Sequence, residues 1–321
     1  MSDITIRPAT AVDLGQVHDI WYRAEVEDFP HPPSKGDVPA IFHHELETGR
    51  MYVAEAAGRI LGYTALISRG SVSYLAELYV RDEAQSSGLG HALLARALHP
   101  VRRDGFSRDL DSSSPSRSGG RSGFSRRLLC TLSSDDPRAL ALYIRAGLSP
   151  RWPHYLLQAA ADRLRPLGGG DVDVGTARPG DPDLVRWDAE IGGRHRPEDH
   201  AYWIEHAAAT PLWFLREGKT IGYGYVQAHS HEVALWHPEA LALGPIGARC
   251  AVDAVSCVLA AIAWAAERVP ALSLGLPAAH PALSVLLEIG FRITYVETFV
   301  STTGDVPFDP ACYLPSSSTL F

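Results

Sequence analysis

The chain has 321 residues, and because a domain of about 150 residues is typical, this length indicates two domains. Hydrophobic residues make up 46% and charged residues 21% of the sequence, a globular composition that excludes disorder of the whole chain. The formal net charge of -8 argues against a general nucleic-acid-binding protein, since phosphate contacts require clustered lysine and arginine. We therefore expect a small-molecule partner.

Metal binding and membrane insertion are not indicated either. The four cysteines have no C-x-x-C spacing, and the pairs His43–His44 and His229-x-His231 lack a third ligand at a suitable distance. No basic region followed by an apolar run stands at the N-terminus. The apolar segment 251–266 is short and carries Asp253, so it predicts a buried helix. We expect a cytoplasmic protein without metal or membrane segment.

The first 160 residues predict alternating strands and helices. In chain order they are a strand at 4–7, helices at 13–24 and 38–48, strands at 51–55, 60–67 and 72–80, a helix at 91–98, a strand at 128–132, a helix at 137–146 and a final strand pair near 152–159. Residues 101–127 are rich in serine, arginine and glycine and predict a solvated insertion.

The second half repeats this order. Residues 172–178 resemble the start of the chain, and 213–223 match 52–63 in order and turn placement. A helix at 249–267, a strand at 271–276 and a helix at 281–288 follow, and Gly290-Phe291 completes the copy. We predict an N-terminal domain at 1–162, a linker at 163–171 and a C-terminal domain at 172–321.

A glycine-containing loop follows the strand that ends in Leu78-Tyr79-Val80. It consists of Gln85, Ser86, Ser87, Gly88, Leu89, Gly90 and His91, and a helix begins within it. Free N–H groups and the positive end of the helix dipole make such a loop suited to a phosphate, and glycine allows close approach of the backbone. A plain turn remains the alternative.

Two motifs together resemble the GNAT superfamily of acetyl-CoA-dependent N-acetyltransferases. The spacing Q-x-x-G-x-G after the strand resembles the superfamily's [QR]-x-x-G-x-[GA] signature, and Asp136 to Leu148 resembles its N-x-x-A-x-x-x-Y-x-x-x-G-F. The resemblance covers about residues 3–160. It implies an α+β fold of three layers, here as two tandem GNAT-like domains, each with a mixed, mostly antiparallel twisted sheet flanked by helices.

The resemblance also implies a site. Backbone groups of Leu78, Tyr79 and Val80 would pair with the pantetheine arm of acetyl-CoA, and the amides of 86–91 would hold its diphosphate, with Gln85 and Asp136 in the same motifs. Tyr143 would protonate the leaving thiolate, and Glu77 would deprotonate the amine. Tyr143 as a packing residue, and Glu77 as a solvent-facing or salt-bridged carboxylate, are the alternatives. Asp136 replaces the usual asparagine, which could add repulsion toward the cofactor.

The second copy lacks these features. Pro245 stands in its counterpart of the glycine loop and offers no N–H, and Leu286 and Leu287 occupy its last helix in place of a tyrosine. We predict that the first copy transfers acetyl groups to a small polar amine, in a monomer or homodimer that binds no nucleic acid. The alternatives are a non-catalytic acyl-CoA sensor or scaffold, and a nucleic-acid role of the basic insertion.

Overall fold

Two similar runs of strands and helices join edge to edge into one sheet. The computed structural model describes residues 4–27, 31–103, 128–165, 170–229, 239–302 and 306–321. In the first half these contain β1 (Thr5–Pro8), α1 (Leu14–Glu25), α2 (Ala40–Thr48), β2 (Arg50–Ala56), β3 (Arg59–Arg69), β4 (Val72–Val80), α3 (Leu89–Arg103), β5 (Leu128–Ser133), α4 (Pro137–Arg145) and β6 (Leu148–Ala160).

The second half has the same succession. It contains β7 (Asp173–Thr176), α5 (Pro182–Ile191), α6 (Pro197–Glu205), β8 (Ala209–Arg216), β9 (Lys219–Gln227), β10 (Ala240–Ala248), α7 (Ala251–Ala266), β11 (Ala271–Pro277), α8 (Ala282–Ile289), β12 (Arg292–Thr302) and β13 (Tyr313–Leu314). The predicted α+β class and the repeated order of strands and helices are confirmed.

The halves exchange their last strands. The order in the sheet is β1-β2-β3-β4-β5-β12-β6-β11-β10-β9-β8-β7, so β12 of the second half lies between β5 and β6 of the first. In the same way β6 pairs with β11 of the second half over seven residue pairs. Each half therefore completes its sheet with a strand from the other. The described strands form one continuous sheet, which does not divide at the predicted linker 163–171.

Tight turns at equivalent places reflect the internal repeat. The β2–β3 turn has Ala57 and Gly58 at φ 50° and 77°, and the β8–β9 turn has Glu217 and Gly218 at φ 50° and 74°. Two consecutive residues in the left-handed region define the two-residue hairpin turn that matches the twist of a sheet. The repeat seen in the sequence is thus a repeat of structure.

The helices cover the two faces of the sheet. One apolar cluster extends across both halves and holds α1, α2, α5 and α6 against one face, called the α1 face. The opposite face, called the α3 face, is covered by α3 and α4 in the first half and by α7 and α8 in the second. None of the helices within the described ranges has both the length and the apolar character that crossing a membrane requires.

Four sequence-based expectations differ from the structure or lie partly outside the described residues. The helix predicted at 91–98 extends over Leu89–Arg103, and 104–127 of the predicted insertion lie outside the described residues. The predicted strand pair near 152–159 is wrong, because β6 is a single strand of 13 residues. Pro150 and Pro153 both lie within this strand, and the register shift beside them leaves Arg151 of β6 as the extra residue of a bulge. Residues 166–169 of the predicted linker are also outside the described ranges.

Candidate active site

Strands β4 and β5 begin as parallel neighbours and then separate. They pair at Val72–Leu128, Ser73–Leu129 and Tyr74–Cys130, and no later pair joins them within the described strands. On its other side β4 pairs with β3 up to Val80, with a bulge at Ala76. A β-bulge bends its strand, which suits the divergence. The edge of β4 that carries Leu78, Tyr79 and Val80 therefore faces the opening rather than a neighbouring strand.

The glycine loop closes one end of this opening. Ser86 and Gly88 have φ of 60° and 86°, and α3 begins at Leu89, whose buried side chain anchors the loop among Ala54, Ala84 and Leu93. Along the loop and the first turn of α3, the first N–H group to make a helix-type hydrogen bond is that of Ala92, which donates to the Gly88 carbonyl. In the described part of the chain no main-chain carbonyl accepts from the N–H groups of 86–91, so these donors are available to an anion.

A cation offsets the acidic residue that departs from the GNAT motif. Asp136 caps α4 by accepting from the Arg138 amide at 2.8 Å, and the Arg138 guanidinium lies 2.9 Å from the same carboxylate. These bonds from Arg138 lower the pKa of Asp136. Arg138 also donates to the Gln85 side chain at 3.2 Å. The repulsion expected from Asp136 is thus countered by Arg138, a residue that the sequence comparison overlooked although it stands two positions away.

Tyr143 lies on the α3 face beside the point where the strands separate. Its side chain is buried in a cluster that includes Leu75 of β4 and Leu129 of β5. Burial, and then the negative charge of Glu77, raise the pKa of the Tyr143 phenol. The phenol therefore keeps its proton at neutral pH, as a general acid requires.

Glu77 lies on the opposite, α1 face. It is 3% exposed, and its carboxylate is 3.4 Å from the Tyr63 hydroxyl and 3.5 Å from the Thr319 hydroxyl. The solvent-facing alternative for Glu77 is therefore wrong. A carboxylate and a protonated phenol thus flank the opening from its two faces, and a reacting group between them could exchange protons with both.

The first part of the chain also matches a known family. Residues 17–118 match the model of the acetyltransferase (GNAT) family. This part of the chain is therefore similar to a GNAT acetyltransferase domain. No curated protein sequence matches the chain.

Solved structures share the two-domain GNAT architecture along nearly the whole chain. A putative acetyltransferase from Pyrococcus horikoshii aligns with a TM-score of 0.70 and 16% identity, covering 99% of this chain and 96% of that one. A tandem GNAT protein from the clavulanic acid biosynthesis pathway aligns with a TM-score of 0.61 and 16% identity over 95% and 100%. A GCN5-related N-acetyltransferase from Sphaerobacter thermophilus reaches 0.59 and 12% over 95% and 98%. At these identities the likeness concerns the fold.

The second GNAT-like fold closes the corresponding opening. Strands β10 and β11 pair in parallel over residues 240–243 and 271–274, and beyond them β13 pairs with β10 at Ile246–Leu314 and Gly247–Tyr313. The Ala248 amide donates to the Cys312 carbonyl. The edge of β10 that corresponds to the open edge of β4 is therefore already paired with the chain's own backbone.

The second half also lacks a counterpart of Tyr143. Four residues before Gly147 stands Tyr143, and four residues before Gly290 stands the fully buried Leu286. Within the described ranges no group of histidine, cysteine, aspartate and glutamate is placed to hold a metal ion. The residues predicted for the site thus come together in the first half alone.

Proposed function

We propose that the N-terminal half transfers an acetyl group from acetyl-CoA to the primary amine of a small polar substrate. The observation that carries this proposal is the opening between β4 and β5, with the glycine loop at its end, Tyr143 on one face and Glu77 on the other. The match of residues 17–118 to the acetyltransferase family model supports acyl transfer as the reaction class.

Acetyl-CoA would bind chiefly to backbone. Its pantetheine arm would extend along the free edge at Leu78, Tyr79 and Val80 like an added strand, and its diphosphate would accept from the amides of 86–91. Arg138 adds positive charge next to Gln85. One outward N–H of the β4 edge would donate to the carbonyl oxygen of the thioester as negative charge develops there.

The two flanking side chains divide the proton transfers. A lysine-like amine has a pKa near 10.4, so at neutral pH most of it is protonated and must first lose a proton, which we assign to Glu77, directly or through water. The free nitrogen then attacks the thioester carbonyl, the C–S bond breaks, and Tyr143 donates its proton to the leaving thiolate. The nitrogen, which becomes cationic on attack, releases its second proton to water, and Tyr143 regains a proton from water, so the products are the neutral amide and free CoA.

Thiol release from acetyl-CoA over a panel of amines tests this proposal. We expect acceptor-dependent release of CoA and one acetylated amine per thiol. In Glu77→Gln the rate should recover partly at high pH, where more of the amine is already deprotonated. Full activity of both Glu77→Gln and Tyr143→Phe at neutral pH would overturn the assigned roles.

A non-catalytic acyl-CoA sensor is the second candidate. It is favoured by the burial of Glu77 beneath Thr319, which leaves an amine little access in the present conformation. Calorimetry that finds acetyl-CoA bound, together with no turnover over the whole amine panel, would support this candidate over the enzyme.

A further inference from the structure

The second half borders the opening that follows the separation of β4 and β5. Strand β12 is antiparallel to β5 and pairs with it over residues 298–301. Because β5 ends at Ser133, residues 292–297 of β12 have no partner on that side among the described strands. Extending the registers of the three strands places this segment at about the height of Tyr79 on β4. The opening therefore has β4 on one side and a strand of the second half on the other.

An exposed tyrosine stands on this second-half strand. Tyr295 shares a face of β12 with Phe299, because side chains alternate along a strand, and Phe299 belongs to the apolar cluster of the α1 face. Tyr295 itself is 37% exposed. Its hydroxyl donates to the carboxylate of Asp135, just after β5, at 3.1 Å. This bond orients the ring beside the opening, on the face where an acceptor amine has to bind.

A second tyrosine borders the opening from β4. Tyr79 lies two residues after Glu77, so both side chains are on the α1 face. The ring of Tyr79 stacks on that of Tyr63 with the ring centres 5.6 Å apart. Its hydroxyl donates to the carboxylate of Glu25, the last residue of α1, at 2.8 Å. Tyr79, like Tyr295, thus has its ring held by contacts at the hydroxyl and leaves the opening between them.

The two sides of the opening are close enough to interact electrostatically. Partial burial, the carboxylate of Asp135 and, to a smaller extent, the charge of Glu25 raise the pKa of the Tyr295 phenol. Glu25 therefore acts on a tyrosine of each half, through a hydrogen bond on Tyr79 and through its charge on Tyr295. We call Glu25, Tyr79, Asp135 and Tyr295 together the rim.

The chemistry of the rim suits a cation. Glu25 and Asp135 are both exposed, and the whole chain has a formal net charge of -8. Aromatic faces and carboxylates attract the same kind of group, a positively charged one. An anionic acceptor would be repelled by the rim, and a neutral one would gain nothing from its charges.

We propose that the acceptor carries a second ammonium group besides the amine that is acetylated, and that the rim binds this second charge. This inference rests on the proposed acetyl transfer and specifies its substrate class. Residues two apart on a strand are separated by about 7 Å, so the second charge lies about that far from Glu77. The acceptor is therefore a short diamine, and the second half contributes Tyr295 to its binding.

Steady-state kinetics with cadaverine, a linear diamine of suitable length, and aminopentanol tests the rim. Aminopentanol is the matched neutral analogue, in which a hydroxyl replaces one ammonium group. Beyond the roughly twofold statistical advantage of two equivalent amines, we expect kcat/KM to favour cadaverine by about 5- to 20-fold, mainly through KM. This preference should decrease at high salt, because the charges of the rim are exposed. Equal use of both acceptors after the statistical correction would overturn the inference while leaving acetyl transfer intact.

Substitutions separate the rim from the general acidity of the chain. Glu25→Gln keeps an acceptor for the Tyr79 hydroxyl but loses the charge, so most of the preference for cadaverine should disappear. Glu27→Gln removes another exposed charge two residues further on and should leave the preference unchanged. Tyr295→Phe keeps the ring and should retain most of the preference, whereas Tyr295→Leu should lower it. Equal losses in Glu25→Gln and Glu27→Gln would mean that charge acts at long range and would overturn binding at the rim.

A ligand-observed NMR titration, with and without CoA, gives a readout that does not depend on turnover. After the same statistical correction, cadaverine should bind the wild type with a Kd about 5- to 20-fold lower than that of aminopentanol. In Glu25→Gln the two values should become similar. If the wild type binds both compounds with the same Kd, the rim does not recognise a second charge, whether or not the enzyme acetylates other amines.

Discussion

The two halves share one fold but treat the same strand edge in opposite ways. In the first half β4 leaves β5 after Tyr74, and the edge toward Val80 stays open beside a loop of free amides. In the second half the equivalent edge of β10 is paired with β13. The prediction that Pro245 stands in a counterpart of the glycine loop is wrong, because Pro245 lies within β10 and α7 begins three residues after this strand ends. This difference between the two edges is the reason why we propose acetyl-CoA binding for the first half and not for the second, although both halves contain a GNAT-like sheet.

The largest effect is expected from separating the halves. A chain of residues 1–162 lacks β12, so β5 and β6 would lose the strand that lies between them in the sheet. We expect this fragment to show no cooperative unfolding transition and to aggregate through its exposed edges. Thermal denaturation followed by circular dichroism measures this. A fragment that melts cooperatively near the full-length temperature would mean that the exchanged strands contribute little.

The catalytic contrast between the halves is tested at one matched position. Tyr143→Phe removes the proposed proton donor, and we expect kcat to fall by about 10²- to 10³-fold. Leu286→Met, at the equivalent position of the second half, conserves core volume and should leave kcat unchanged. The measurement is the rate of thiol release by each variant. Comparable losses of kcat in the two variants would contradict a catalytic role confined to the first half.

The strand shared by both halves carries a buried histidine that predicts acid sensitivity. Burial lowers the pKa of His154 to about 3, against about 6.5 in an unfolded chain. This contribution to stability is fully present above pH 6.5 and declines as the pH falls toward 3, since the unfolded state then binds the additional proton. One proton corresponds to about 1.4 kcal/mol per pH unit, or about 3 kcal/mol between pH 6.5 and pH 4.

The measurement is urea denaturation at pH 7 and pH 4. His154→Gln cannot titrate, so its free energy of unfolding should fall less between these values than that of the wild type. Identical pH dependence in wild type and His154→Gln would contradict the assignment.

The glycine loop can be tested against a glycine of similar geometry in the second half. Gly88 and Gly218 have φ of 86° and 74°, and a Cβ at either position would meet no atom within 4 Å. Substitution by alanine should lower the free energy of unfolding by about 1 kcal/mol at either position, because residues with a Cβ atom are disfavoured at left-handed φ. Only Gly88→Ala should also weaken acetyl-CoA binding, by about tenfold, since its methyl group would stand beside the amides of the loop. Calorimetric titration provides the affinity.

The smallest effect is expected at Arg138. Its side chain is 71% exposed, so Arg138→Gln should raise the Kd of acetyl-CoA by only about three- to fivefold, and less at high salt. Arg249 lies between β10 and α7 of the second half and is 60% exposed, and Arg249→Gln should not change the Kd. Equal effects of the two substitutions would show that the charge acts at long range rather than at the loop.

Local patterns in the sequence predicted most elements and indicated the candidate site of the first half. Runs of strand-forming residues on either side of Gly58 predicted β2 to β4, and the loop at 85–91 together with Tyr143 followed from two motifs whose backbone geometry depends on nearby residues. These features are local, so the residues that encode them are adjacent in the chain.

Features that depend on distant partners were not predictable. Nothing in the pattern of Leu148–Ala160 or Arg292–Thr302 indicates that each strand pairs with the other half, because period-two alternation specifies a face but not a neighbour. The same holds for β13 and for residues 316–321, which contain no catalytic motif. Arg138 lies within a recognised motif, however, and its charge next to Asp136 was a usable signal.

The most direct test of the difference between the halves is a crystal structure of the full chain grown with CoA. We predict one CoA per chain, with its pantetheine arm between β4 and β5 and its diphosphate on the amides of 86–91. CoA bound between β10 and β11, or an opening at β4 that stays empty under saturating CoA, would contradict the account.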